Sequence, residues 1–131
     1  MPESLSGIVT EGNRIGRRIG FPTANIAADG RTDMPDGVFA AEVSVAGRAY
    51  RAVVNVGRRP TVGVGLGRTL EAHLLGFSGD LYGREIVVRL LERIREEKKF
   101  DSLEALCRQI EADRRHVADM PQAFFAGPDG K

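Results

Sequence analysis

Two alternating apolar runs, separated by two residues, constrain this chain more than any other feature. From Gly37 to Val45, Phe39, Ala41, Val43 and Val45 share one face; from Arg48 to Val56, Tyr50, Ala52, Val54 and Val56 do the same. Period-two patterning specifies strands with one apolar face. Ala46-Gly47 between them is short enough to fold the pair into an antiparallel hairpin. Similar runs flank it. Leu5 to Glu11 is expected to be a short strand carrying Ile8 and Val9. Thr69 to Phe77 sets Leu70, Ala72 and Leu74 against Glu71, His73, Leu75 and Phe77. Glu85 to Ile94 is apolar on both faces near its centre, as a well-buried strand is.

The connections have their own signatures. Residues 27 to 36 are rich in Asp, Gly, Thr and Pro and are expected to be loop. The segment GRRPTVGVGLGR, Gly57 to Arg68, holds four glycines and a proline and is expected to be a mobile binding loop or lid, not a regular element. After the charged run Arg95 to Lys99, Asp101 with Glu104 forms a capping-box arrangement. Leu103, Leu106, Cys107, Ile110 and Val117 then fall at helical spacing. The helix should end near Val117; in the tail, 118–131, the stretch Met120 to Lys131 should fray, with Phe124 and Phe125 as the exception and candidates for packing or a contact. Five or six short strands and one terminal helix predict a mainly β fold: a small antiparallel barrel with the helix outside. A single domain over 1–131, with its core at about 5–117, is expected.

Composition removes several classes of function. A formal net charge of +1 argues against a chain whose main task is neutralising a nucleic-acid backbone. With 6% aromatic residues and no tryptophan, a base-stacking barrel is a poor fit, so no nucleic-acid partner is expected. One cysteine, Cys107, excludes an internal disulfide and a cysteine metal cluster, and its place in an apolar helical pattern suits a structural thiol. No apolar run of membrane-spanning length and no signal-peptide pattern occurs. A cytoplasmic protein without a membrane partner is expected. No Walker motif, nucleophile elbow or dinucleotide fingerprint is present.

What remains is the stretch GNRIGRRIGFPTAN, Gly12 to Asn25. Gly12, Gly16 and Gly20 allow close backbone approach to a ligand, so that successive N–H groups can converge on an anion. Arg14, Arg17 and Arg18 add forked donors suited to phosphate oxygens. Pro22 stiffens the turn that presents Thr23 and Asn25, whose oxygens suit a hard cation such as Mg²⁺ beside phosphates. Gly12, Gly16, Arg17, Arg18, Gly20, Thr23 and Asn25 are therefore the expected phosphate-binding positions. Glu71 and His73 share the polar face of a strand and are candidates of lower weight on spacing alone.

Five segments in one order then carry a resemblance: GNRIGRRIGFPTAN, DGVFAAEV, VVNVGRRPT, LEAHLLGFSGDLYG and IREEKKFDSLEALCRQIEAD. Over roughly Leu5 to Val117 the chain resembles the riboflavin kinase domain, a module also found in bifunctional bacterial FAD synthetases. The resemblance implies a six-stranded antiparallel Greek-key barrel with a C-terminal helix. It implies ATP-dependent phosphorylation of riboflavin to FMN, with Mg²⁺ (Zn²⁺ as the alternative) held by Thr23 and Asn25. Glu71 would be the catalytic carboxylate, orienting the ribityl 5′-hydroxyl toward the γ-phosphorus. Arg95, Lys99, Phe100, Leu103 and Leu106, around the helix start, would lie in the riboflavin site. Gly76 departs from the usual aspartate of bacterial members. Those members also carry an N-terminal FMN adenylyltransferase domain, to which nothing here corresponds, so either a monofunctional kinase or a C-terminal module is expected. The competing reading is a non-catalytic flavin- or nucleotide-binding barrel.

Overall fold

The computed structural model describes residues 3–10, 24–27, 35–61, 65–77 and 79–125. In chain order it forms β1 (Glu3–Ile8), β2 (Ala24–Ala27), β3 (Gly37–Val45), β4 (Arg48–Thr61), β5 (Gly65–Leu74), β6 (Glu85–Arg95) and the helix α1 (Leu103–Ala118). A 3-10 turn, Gln122–Phe124, follows.

The hairpin forms as its patterning requires. Val45 pairs with Arg48 across Ala46 and Gly47, which sit at φ of 52° and 81°. Positive φ at both central residues gives a turn whose twist matches that of the strands. Ala46 is the one non-glycine residue at positive φ among the described residues. Its Cβ makes that conformation costly, whereas asparagine visits it readily. Ala46→Asn is therefore expected to stabilise the fold by about 0.5–1 kcal/mol, read as a higher urea midpoint at unchanged slope.

The strands lie in the order β1-β6-β3-β4-β5-β2, every neighbouring pair antiparallel. β3, β4 and β5 follow one another as hairpins, and β6 returns beside β3, which is the Greek-key arrangement. The two edges then meet. The Thr10 N–H donates to the Asn25 carbonyl at 2.7 Å, and a Cβ on Gly7 would stand 3.3 Å from that of Ile26. The sheet is thereby a nearly closed barrel.

Inward-facing side chains fill it: Val54 and Val56 of β4, Leu70 and Ala72 of β5, Ile86 and Val88 of β6, all fully buried. Phe77 departs from its expected face. β5 ends at Leu74, Gly76 turns at φ 76°, and Phe77 returns to the barrel core edge-to-face with Tyr50, ring centroids 5.2 Å apart.

A second cluster lies outside the barrel, where Val117, Met120 and Phe125 cover Ala40, with Val53, Leu75, Leu91 and Ile94 packed around them. The β3–β6 register skips Leu91 and Ile94. These bulges turn both residues toward the helix and account for the outward apolar residues at that end of β6, whereas Val87, nearer its start, is exposed.

Three sequence expectations are corrected. The ladder between β4 and β5 continues from Gly57↔Thr69 to Thr61↔Gly65, so most of the expected loop 57–68 is strand. β3 begins at Gly37, opposite Val56, so among the described residues β4 beyond that point pairs with β5 alone. A proline is tolerated on such an edge. Second, the helix cap is Ser102, not Asp101: its hydroxyl accepts from the Ala105 N–H at 3.1 Å. Third, the first part of the tail packs on the barrel, with Met120 buried beside the expected Phe125. Arg51 donates to the carbonyls of Val117, Ala118 and Met120 at 3.0, 3.1 and 2.7 Å, and its guanidinium lies 4.2 Å from the centre of the buried Phe125 ring. Among the described residues, no helix is long and apolar enough to cross a membrane.

Candidate active site

The short strand β2, absent from the sequence expectations, builds the site. Its four residues alternate, with Ala24 and Ile26 buried in the barrel core and Asn25 set on the opposite face. β5 alternates likewise: Leu70, Ala72 and Leu74 point inward, leaving Thr69, Glu71 and His73 outside. Asn25 of β2 and Asn55 of β4 each stand directly opposite Glu71. A carboxylate thus lies between two carboxamides in one row across three strands. Directly opposed residues are close enough for their side chains to share a ligand.

The next row holds Ala27, Thr69 and Gly57. Gly57 leaves room for what lies over it. A Cβ at that position would stand 2.7 Å from the Glu97 carboxyl carbon, so the Glu97 carboxylate rests against the β4 backbone. The connection from β6 to α1 is therefore folded onto the outer face of the barrel one row from Glu71.

Arg95 fixes the start of that connection. Its Nε and Nη2 donate to the Asp113 carboxylate of α1 at 3.1 and 2.8 Å, and its Nη1 donates to the Glu96 carbonyl at 3.0 Å. Gln109 adds a further bond, its Nε2 donating to Asp113 Oδ1 at 2.9 Å. These donors are committed to holding the helix, so Arg95 acts on the site through position. Of the other positions expected near a flavin, Lys99 is exposed, and Phe100 and Leu106 are half-buried, with the Lys98 ammonium 5.6 Å from the Phe100 ring centre. Leu103 is 55% exposed, although helical spacing put it on the packed face. It offers an apolar surface at the first turn of α1.

The structure thus brings Asn25 and Glu71 together. Gly12, Gly16, Arg17, Arg18, Gly20 and Thr23 lie outside the described residues. Asn25 and Glu71 carry oxygen atoms, the donor class that suits Mg²⁺. Sequence reasoning did not single out Asn55, Thr69 or Glu97. Alternation already placed Asn55 opposite the apolar face of its strand, a usable signal; Glu97 had none, being one charge in a charged run. Gly76 lies beyond the end of β5, with open space where a Cβ would project, which separates the departure at that position from Glu71.

The family model described as Flavokinase: Riboflavin kinase matches residues 1–120. The chain is 42% identical over 114 residues to an RNA-binding riboflavin kinase of Bacillus subtilis, covering 87% of this chain and 49% of the relative. It is 45% identical over 113 residues to a bifunctional riboflavin kinase/FMN adenylyltransferase of Escherichia coli, covering 86% of this chain and 36% of the relative. This chain therefore spans less than half the length of these curated relatives. Among solved structures, riboflavin kinase from Trypanosoma brucei superposes with a TM-score of 0.65 at 29% identity, covering 92% of this chain and 78% of that one. A Streptococcus pneumoniae structure titled as a macrolide-efflux protein superposes with a TM-score of 0.82 at 38% identity, covering 92% and 40%.

Proposed function

Because this chain belongs to the riboflavin kinase family, we propose that it transfers the γ-phosphoryl group of ATP to the ribityl 5′-hydroxyl of riboflavin, giving FMN and ADP. The observation that carries this reading is Glu71 on the outer face of β5, opposite Asn25 and Asn55. Glu71 accepts a hydrogen bond from the 5′-hydroxyl and aims its oxygen in line with the γ-phosphorus. The new O–P bond forms as the bond to the bridging oxygen of ADP breaks, and the hydroxyl proton passes to Glu71 late in the transfer. A carboxylate is a weak base toward an alcohol, so orientation is its larger contribution. Phosphoryl transfer asks little covalent work of the protein, and charge neutralisation and alignment dominate. Thr23 and Asn25 are the residues that would hold Mg²⁺, which neutralises phosphate charge when bound. The glycines and arginines between Gly12 and Gly20 would bind the phosphates, and Lys99, Phe100, Leu103 and Leu106 the flavin ring. The Glu97 carboxylate, over Gly57 in the connection to α1, would lie on the flavin side.

ATP as co-substrate favours a cytoplasmic setting. The greater length of the bifunctional relatives supports an FMN adenylyltransferase domain as a partner that would consume the product. The test is riboflavin-dependent ADP formation with ATP and Mg²⁺, the flavins being separated by chromatography. FMN without FAD is the expected result. Riboflavin fluorescence quenched on mixing, with no FMN formed, would favour the non-catalytic binder instead.

A further inference from the structure

The barrel closes at the residue that stands opposite Glu71. Val9 fixes the chain just before the seam. Its side chain is buried in the core, its N–H donates to the Arg84 carbonyl at 2.9 Å, and its carbonyl accepts from the Gly83 N–H at 3.0 Å. In a strand, the N–H and carbonyl of one residue serve one neighbour, and those of the next residue serve the other. With Val9 committed to the turn that leads into β6, Thr10 is aimed at β2. Its N–H donates to the Asn25 carbonyl at 2.7 Å, and its hydroxyl donates to the same oxygen at 3.3 Å. Among the described residues, the hydrogen bonds across this seam are those of Thr10.

This bond decides how Asn25 meets Glu71. Because the Asn25 carbonyl points to Thr10, its peptide group is turned away from β5 at that register position. Asn25 and Glu71 are therefore a non-hydrogen-bonded pair, the type in which facing Cα atoms come to about 4.5 Å and side chains lie closest. β2 is four residues long and pairs with β5 along one edge. On its other edge the Thr10 N–H holds the Asn25 peptide. Without that donor, a residue buried at 5% exposure would lose the partner of its carbonyl, and the direction of its side chain would loosen with it.

We infer that Thr10 is a positioning residue for phosphoryl transfer. Its backbone N–H, more than its exposed side chain, sets the direction of the Asn25 carboxamide and so the spacing of Asn25 from Glu71. This role rests on the proposed phosphorylation of riboflavin, in which those two residues work at the phosphoryl group being transferred. Groups that orient a ligating residue from behind are worth about 10–100-fold in affinity or rate.

Thr10→Pro removes the N–H, whereas Thr10→Val keeps it and removes the hydroxyl. Each is compared with the parent in kcat, in the Kd of riboflavin by fluorescence and of Mg²⁺·ADP by calorimetry, and in amide hydrogen exchange over residues 24–27. Thr10→Pro should lower kcat and weaken Mg²⁺·ADP binding by about 10–100-fold. Riboflavin affinity should stay at the parent's value, and exchange should quicken in β2 while β3 and β4 keep their protection. Thr10→Val should retain most of the rate. Arg51→Met, which loosens the fold away from the seam, separates position from stability and should leave Mg²⁺·ADP binding intact. Where Thr10→Pro does not fold, Thr10→Gly, which keeps the N–H but frees its direction, should show the same pattern to a smaller degree. Parental kcat and Mg²⁺·ADP affinity in whichever of these two variants folds would overturn the inference. Equal losses in Thr10→Val and Thr10→Pro would overturn it too, by moving the role to the hydroxyl. No FMN from the parent, with Mg²⁺·ADP affinity still falling in Thr10→Pro, would sink the kinase reading and leave the seam standing.

Discussion

Glu71→Gln is expected to lower riboflavin turnover by about 10²–10⁴-fold while leaving riboflavin affinity nearly unchanged. The substitution is isosteric and keeps a hydrogen-bonding oxygen in the row between Asn25 and Asn55. It removes the charge and the capacity to take a proton, which matter only as the hydroxyl oxygen attacks. An interaction made mainly in the transition state shows itself as a fall in kcat with little change in binding. Glu71→Asp tests the same role through geometry. The carboxylate survives but withdraws by one methylene, and misplacement on that scale costs about 100-fold. Single-turnover rates and fluorescence titrations separate the two quantities. Loss of affinity in proportion to loss of rate would instead make Glu71 a binding residue, and the in-line orientation assigned to it would be wrong.

The legibility of this site in sequence depended on which physical signal each residue carries. The barrel was readable because Phe39, Tyr50, Leu70 and Ile86 begin runs whose period is that of a strand, and period survives without knowledge of partners. Glu71 was visible only as a polar residue on such a run; what gives it a role is its opposition to Asn25 and Asn55, and cross-strand register is not encoded in local spacing. β2 was missed because four residues after a proline-containing turn are too few to display alternation. The strand extensions beyond Val56 were missed because Pro60 and the glycines of 57–67 oppose regular structure locally, whereas a ladder to one neighbour tolerates them on an edge. Asp113 is the clearest case of a tertiary decision. Within its helix it is one more charged residue, yet it is buried at 4% exposure because Arg95, eighteen positions earlier, supplies two donors. Motif order compensated for much of this, since the family resemblance named Glu71 where alternation alone would have left it a surface carboxylate.

That buried pair yields the second large effect, and one that separates fold from function. Removing one member of a buried ion pair strands the other, at a cost of about 3–5 kcal/mol. The Arg95 side chain retains 21% exposure, so part of its charge can be rehydrated, and Asp113→Ala is expected near the lower end, about 3 kcal/mol. Replacing both by apolar residues, Arg95→Met with Asp113→Leu, should restore most of the loss, because neither charge then remains to be solvated. The functional consequence differs from that of Glu71→Gln. Arg95 and Asp113 fix the beginning of the connection that lays Glu97 against Gly57 and leads to Phe100 and Leu103. Loosening it should raise KM for riboflavin more than it lowers kcat. Arg51 provides the contrast, since its bonds to the carbonyls of Val117, Ala118 and Met120 hold the far end of the same helix. Arg51→Met should reduce the urea midpoint without a comparable rise in KM, measured where both proteins are still folded. If the two variants shifted KM equally, the helix would act on the site as one rigid body, and the Arg95–Asp113 pair would have no privileged part in shaping the flavin side.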